Sequence, residues 1–121
     1  MVKRERLSWT TAADGSATVT GAAILGEVCA IDYLPGTTDT GATVTVSDVG
    51  SMTHTLLSKA TAGTSNVRFY PRELAHKAED GAALTGTAGG DRVEAFAAGK
   101  LQVVIASGGN ATSGAVIVYY E

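Results

Sequence analysis

Two short basic stretches carry the side chains best suited to chemistry in this sequence. Lys3, Arg4 and Arg6 form the first; Arg68 and Arg72 flank Phe69, Tyr70 and Pro71 to form the second, with Glu73 and Glu79 close behind. Arginine and tyrosine are enriched where proteins meet, because each joins a large contact area to directional hydrogen bonds. The chemistry implied is recognition, with Lys3, Arg4, Arg6, Arg68, Tyr70 and Arg72 as candidate partner contacts. Each stretch also has a plainer reading. The first is equally a solvated, frayed terminus, and the second a surface salt-bridge network worth under about 1 kcal/mol per pair.

Covalent and metal chemistry find less to work with. Cys29 is the single cysteine, so no internal disulfide can form, and its place between Val28 and Ala30 suits a small core hydrophobe. A nucleophilic cysteine needs a histidine beside it, and nothing places His54 or His76 there. Zinc ligands cluster at short spacings, which these two histidines do not. Asp32, Asp39 and Asp48 could converge on calcium, but the EF-hand spacing is missing, and ordinary turn acids are the better reading. The glycines of 86–90 and the pair Gly108 and Gly109 lack the Lys-Ser/Thr end of a phosphate loop, so they read as turns. Asn110, Ala111 and Thr112 match the glycosylation sequon, a three-residue match that means little without a secretory signal. No enzyme activity and no cofactor are expected.

Composition narrows the classes further. A net charge of −3 and a pI near 5.3 oppose a nucleic-acid footprint, which needs a basic face. No apolar run approaches the roughly twenty residues of a membrane span, so a soluble protein made in a cytoplasm is expected, with neither membrane nor nucleic acid as partner. A chain of 121 residues buries roughly two thirds of its unfolded surface, enough for one core. Aromatic residues supply only 6% of the chain against 45% apolar overall, so Ala and Val must fill that core. Small residues bury less area each, at about 25 cal/mol per Å². The expected subunit is modestly stable and gains from assembly.

Strands must position these residues. Residues 7–10 and 17–20 flank Asp14-Gly15, a hairpin-turn dipeptide, which predicts an N-terminal hairpin. Residues 24–34 alternate imperfectly and end at Pro35-Gly36. Residues 42–49 alternate Thr or Ser with Val, placing Val44 and Val46 opposite Thr43, Thr45 and Ser47. Weaker strands are expected at 53–57 and 66–70, one helical turn or a loop at 72–77, and a surface loop at 82–90. The segments 92–96, 101–106 and 114–120, separated by glycine-bearing breaks, predict a β-meander at the end of the sequence. In it Val103 with Ile105, and Val116 with Val118, would each share a sheet face. The fold expected is all-β: one antiparallel β-sandwich or barrel over 1–121, with 1–7 an extended N-terminal arm. Trp9, Phe69, Phe96 and the tyrosines read as core anchors, and alternatively as a carbohydrate or peptide platform.

Three segments carry a resemblance. Tyr33-Leu34-Pro35-Gly36-Thr37-Thr38-Asp39-Thr40-Gly41-Ala42 is the first; Tyr70-Pro71-Arg72 with His76 and Gly81-Ala82-Ala83 is the second. The third runs from Gly99-Lys100-Leu101 through Ser107-Gly108-Gly109-Asn110 into Ser113-Gly114-Ala115-Val116. Together they resemble the small virion structural proteins of tailed bacteriophages encoded among head and neck genes. The resemblance spans most of the chain after residue 15, on turn and strand residues without enzymatic meaning. It implies a non-enzymatic homo-oligomeric subunit of the virion that decorates or cements the capsid by contacting the major capsid protein or another virion protein. A minor neck or tail protein is the alternative, and a small carbohydrate- or receptor-binding β-module is the competitor from another class.

Overall fold

The computed structural model describes residues 1–74 and 92–121. Within them the chain is all-β and without helix: β1 (Lys3–Thr10), β2 (Ala17–Leu34), β3 (Thr43–Val49), β4 (Thr53–Lys59), β5 (Val67–Phe69), β6 (Arg72–Leu74), β7 (Arg92–Ala106) and β8 (Ser113–Tyr120). Hydrogen bonding follows the order β1-β8-β2-β7-β3-β4, with β5 beside β2 and β6 beside β7. Every pairing is antiparallel.

The path folds over on itself because β2 is long enough to serve two layers. Its first part, Ala17 to Val28, pairs with β7, and its second part, Val28 to Leu34, pairs with β8. Gly26 lies just before this change of partner. A β-carbon there would collide with the carbonyl oxygen of Glu121, whose backbone exchanges two 2.9 Å hydrogen bonds with Glu27. Only glycine lets the two strands approach so closely. One layer is thus β1-β8-β2-β5, and the other is β2-β7-β3-β4.

A single core lies between the layers. Leu7, Trp9, Ile31, Tyr33, Val116 and Val118 meet Val44, Val46, Leu101, Val103 and Ile105 in one buried cluster. The paired inward positions 103 and 105, and 116 and 118, are all buried, as strand alternation requires. Trp9 is 3% exposed, so it anchors the core and is no surface platform. Its ring stacks on Tyr33 at 6.1 Å between centroids, and its Nε1 donates to Thr38 Oγ1 at 3.1 Å. The ring passes over Gly114, where a β-carbon would stand 2.6 Å from Trp9 Cζ2.

Several expectations from sequence are corrected. Residues 3–7 are not a free arm: Lys3 to Leu7 pair in unbroken register with Tyr120 to Val116. The turn around Asp14-Gly15 forms, with Gly15 N–H donating to the Ala12 carbonyl at 3.0 Å. The strands on either side of it are not a hairpin, because β1 pairs with β8 and not with β2. Nor do the C-terminal strands form a meander. The break expected at 97–100 is absorbed within one continuous β7, and β2 separates β7 from β8. Residues 72–74 are strand β6; the rest of the helical turn expected over 72–77, and the loop expected at 82–90, lie outside the described residues. Cys29 is half-buried and no member of the core, since the register of β2 shifts between Val28 and Ala30. Burial and the nearby carboxylates of Glu94, Glu121 and Glu27 raise its thiol pKa, the opposite of activation.

Candidate functional site

The outer face of the β1-β8-β2-β5 layer gathers the two basic stretches. Register places Arg6 opposite Ile117, Ile117 opposite Asp32, and Asp32 opposite Arg68, one straight row across four strands. Neighbouring strands lie about 4.8 Å apart, so the two arginines stand roughly 14 Å apart along the row. Arg4 sits on the same face, opposite Tyr119. Alternation along β1 dictates this: Leu7 and Trp9 turn inward, so Arg4, Arg6, Ser8 and Thr10 turn outward and are exposed.

At the β5 end the charges lock together. Arg68 grips Asp32 with two hydrogen bonds, Nε to Oδ1 and Nη2 to Oδ2 at 2.9 Å. Tyr119 Oη donates to the same Oδ2 at 3.1 Å, and the guanidinium lies 5.2 Å from the Tyr119 ring centroid. Bidentate geometry and stacking are what a planar guanidinium offers. Arg68 lowers the Asp32 pKa, with the Tyr119 hydrogen bond assisting against burial; Asp32 in turn raises that of Arg68. Tyr70, 61% exposed, joins Asp32, Leu34, Asn66 and Arg68 around a surface hollow of about 490 Å³. A second hollow of about 520 Å³ shares Leu34 and Asn66 with it and extends to Arg6, Ser8, Thr10 and Ser113. The two form one continuous, shallow relief across the layer.

Of the six candidate contacts, Arg4, Arg6, Arg68 and Tyr70 come together here, and Lys3 and Arg72 do not. Lys3 has the opposite parity on β1. Arg72 lies on β6 opposite Glu94 and donates to the Pro71 carbonyl at 2.7 Å. Asp32 and Tyr119 complete the cluster, and sequence reasoning missed their role. Their 87-residue separation hides it, and the signal that existed was only the parity of each within its strand.

A second polar cluster sits where β6 joins the other layer. His54 Nε2 lies 2.6 Å from Glu73 Oε1, and its Nδ1 lies 3.6 Å from Asp48 Oδ1. Asp48 is buried, and its Oδ2 accepts from the Ala98 N–H at 2.7 Å. With both imidazole nitrogens facing carboxylates, the arrangement ties β6 to β3 and β4 and offers no activated nucleophile. Among the described residues the mixed charges of this region therefore do not pair with one another: Arg68 takes Asp32, and Glu73 lies against His54. His76 and Glu79 lie outside the described residues.

The loops that bear much of the resemblance knit together at one end of the sandwich. Thr11 Oγ1 donates to the Gly109 carbonyl at 2.6 Å and Thr112 Oγ1 to the Gly108 carbonyl at 2.7 Å. Gly108 N–H donates to Gly15 and Asp39 N–H to Gly108, both at 2.9 Å. The Asp39 carboxylate lies against Gly109, which makes this turn hostile to a phosphate; residues 86–90 lie outside the described residues. Asp32, Asp39 and Asp48 stay apart, each with its own neighbours. Among the described residues no three His, Cys, Asp or Glu side chains converge to hold a metal ion, and no helix is long and apolar enough to cross a membrane. Comparison with known proteins returns no matching family, no similar curated protein and no similar solved structure.

Proposed function

We propose that this chain is a non-enzymatic structural subunit of a tailed-phage particle. It decorates or cements the capsid, as a homo-oligomer in repeated lattice contacts, by laying the outer face of the β1-β8-β2-β5 layer on a capsid protein. The observation that carries the reading is the in-register row Arg6, Ile117, Asp32 and Arg68 with Tyr119 and Tyr70 beside it. Paired strands fix the backbone beneath the row, and Asp32 holds the Arg68 side chain, so the ordering cost at the moment of contact falls mainly on the exposed side chains. Arginine and tyrosine over a shallow relief suit a broad protein surface better than an enclosed small ligand, which wants a deep apolar pocket. The resemblance to small virion proteins supplies the particle as the setting. A lattice that binds the folded form would also raise the apparent stability of a thin-cored subunit by mass action.

The test is co-sedimentation of the purified protein with particles that lack it, alongside a copy count by mass spectrometry of complete particles. The expected result is saturable binding at a copy number matching the capsid lattice, weakened at least tenfold in the Arg4→Glu/Arg6→Glu variant. A few copies per particle would move the assignment to the neck or tail, and no binding by either protein would overturn it.

A further inference from the structure

The main path of the sheet has two ends, built differently, with the three-residue β5 and β6 off that path. At one end β4 carries a register shift where Val46 and Ser47 of β3 meet Leu57 and Thr55, a bulge that disrupts pairing by any further strand. At the other end β1 pairs only with β8, through eight consecutive residues without a shift. Alternate N–H and C=O groups of β1 therefore face away from β8 and enter no strand pairing among the described residues, although the first part of β2 passes close by, with Gly21 against Glu5 and Leu7. A long, regular edge is the arrangement that invites another strand.

Charge decides what kind of strand. β1 carries Lys3, Arg4 and Arg6 against the single carboxylate of Glu5, in a chain whose net charge is −3. Arg4 and Arg6 have no carboxylate partner among the described residues, and the one side-chain bond of Arg6 is Nε to Ser8 Oγ at 3.3 Å. They lie two residues apart on the same face, roughly 6.6 Å along the strand, the repeat at which alternate residues of an added strand present their side chains. A second copy is a poor occupant. Pairing β1 with another β1 would set two such basic clusters within a Debye length, about 8 Å at physiological salt. The bulged β4 edge offers Thr53, Thr55 and Lys59 but no acid to meet them.

We propose that the open edge of β1 is a strand-addition site for an extended acidic segment of a partner protein, with carboxylates on alternate residues meeting Arg4 and Arg6. The inference rests on the reading of this layer as the docking surface, and it names the partner's chemistry. Ser8, Thr10 and Ser113 beside the second hollow provide hydroxyls for the partner's polar side chains as it passes.

The probe is a ten-residue peptide alternating Glu with Val, compared with the same peptide carrying Lys in place of Glu and measured by fluorescence anisotropy on the full chain. The acidic peptide should bind at least tenfold tighter, lose affinity as salt rises, and slow amide exchange within β1. The Arg4→Glu/Arg6→Glu variant should invert the ranking. Two further acidic peptides, N-methylated at alternate residues in either register, test main-chain pairing without altering the protein: one register should abolish binding and the other spare it. Equal binding by both N-methylated forms, no preference between acidic and basic peptides, or unchanged exchange in β1 would overturn the proposal. Particle binding together with peptide failure would sink the strand-addition site alone, and peptide binding without particle binding would sink the virion reading alone.

Discussion

Arg6, Ile117, Asp32 and Arg68 cross the outer face of one layer in register, and Thr18, Val104, Thr45 and Ser58 cross the outer face of the other in the same way. Both rows sit on antiparallel strands and back onto the same core. The second row is short and largely β-branched, which favours a pleated surface but reaches no further than the strand itself. The first carries three charged side chains, of which Asp32 and Arg68 are ordered by their mutual bonds and by Tyr119 beside the row. The same antiparallel pattern thus carries one row of short side chains and one of long charged ones. The rows differ in side-chain reach and charge.

If the layers differ only outside, an inward change in either should do equal damage. Ile105→Asp in one layer and Val116→Asp in the other should each cost roughly 3–5 kcal/mol or unfold the chain, by burying an unpaired charge. Urea denaturation would measure both, and an unchanged midpoint in either would show that the layers do not share one core. Next in size is the strand that joins them. Gly26→Ala forces a β-carbon onto Glu121 and should break the Glu27–Glu121 backbone pair at a cost of about 1–3 kcal/mol, read from thermal melting and from faster exchange of the Glu27 amide.

A smaller effect of opposite sign is expected at Tyr33. It is fully buried, its hydroxyl has no hydrogen-bond partner among the described residues, and burial raises its pKa. Tyr33→Phe should keep the stacking on Trp9 and stabilise the chain by up to about 1 kcal/mol; a loss in the urea midpoint would show the hydroxyl to be bonded. The smallest effect belongs to the charged outer face itself. Asp32 has a lowered folded pKa, so its contribution is present above the unfolded carboxylate value of about 3.9 and is lost as pH falls through the lower folded value. Asp32→Asn should therefore lower Tm by a few degrees at neutral pH, with the gap to the parent closing as the pH falls below about 4. A gap that persists at low pH would mean that Asp32 acts through packing and not through its charge.

What the sequence determined by itself is the strand character and the inward parity of its clearest runs. Val44 and Val46, Val103 and Ile105, and Val116 and Val118 turn inward as their alternation requires, because a period of two is a local property of the pleated chain. The turn at Asp14-Gly15 and the stop at Pro35-Gly36 were legible for the same reason: they depend on the backbone preferences of one or two residues. Tertiary structure decided which strands pair. Residues 3–10 look like half of a hairpin until β8 takes them, and β7 and β8 look adjacent until β2 enters between them; hydrogen-bonded ladders are indifferent to sequence distance, so local pattern could not choose. The face was hidden on the same account. Arg6 and Arg68 are basic in any reading, but only the registers of β1, β8, β2 and β5 put them in one row with Asp32 between, and only that juxtaposition turns two separate basic stretches into a single surface.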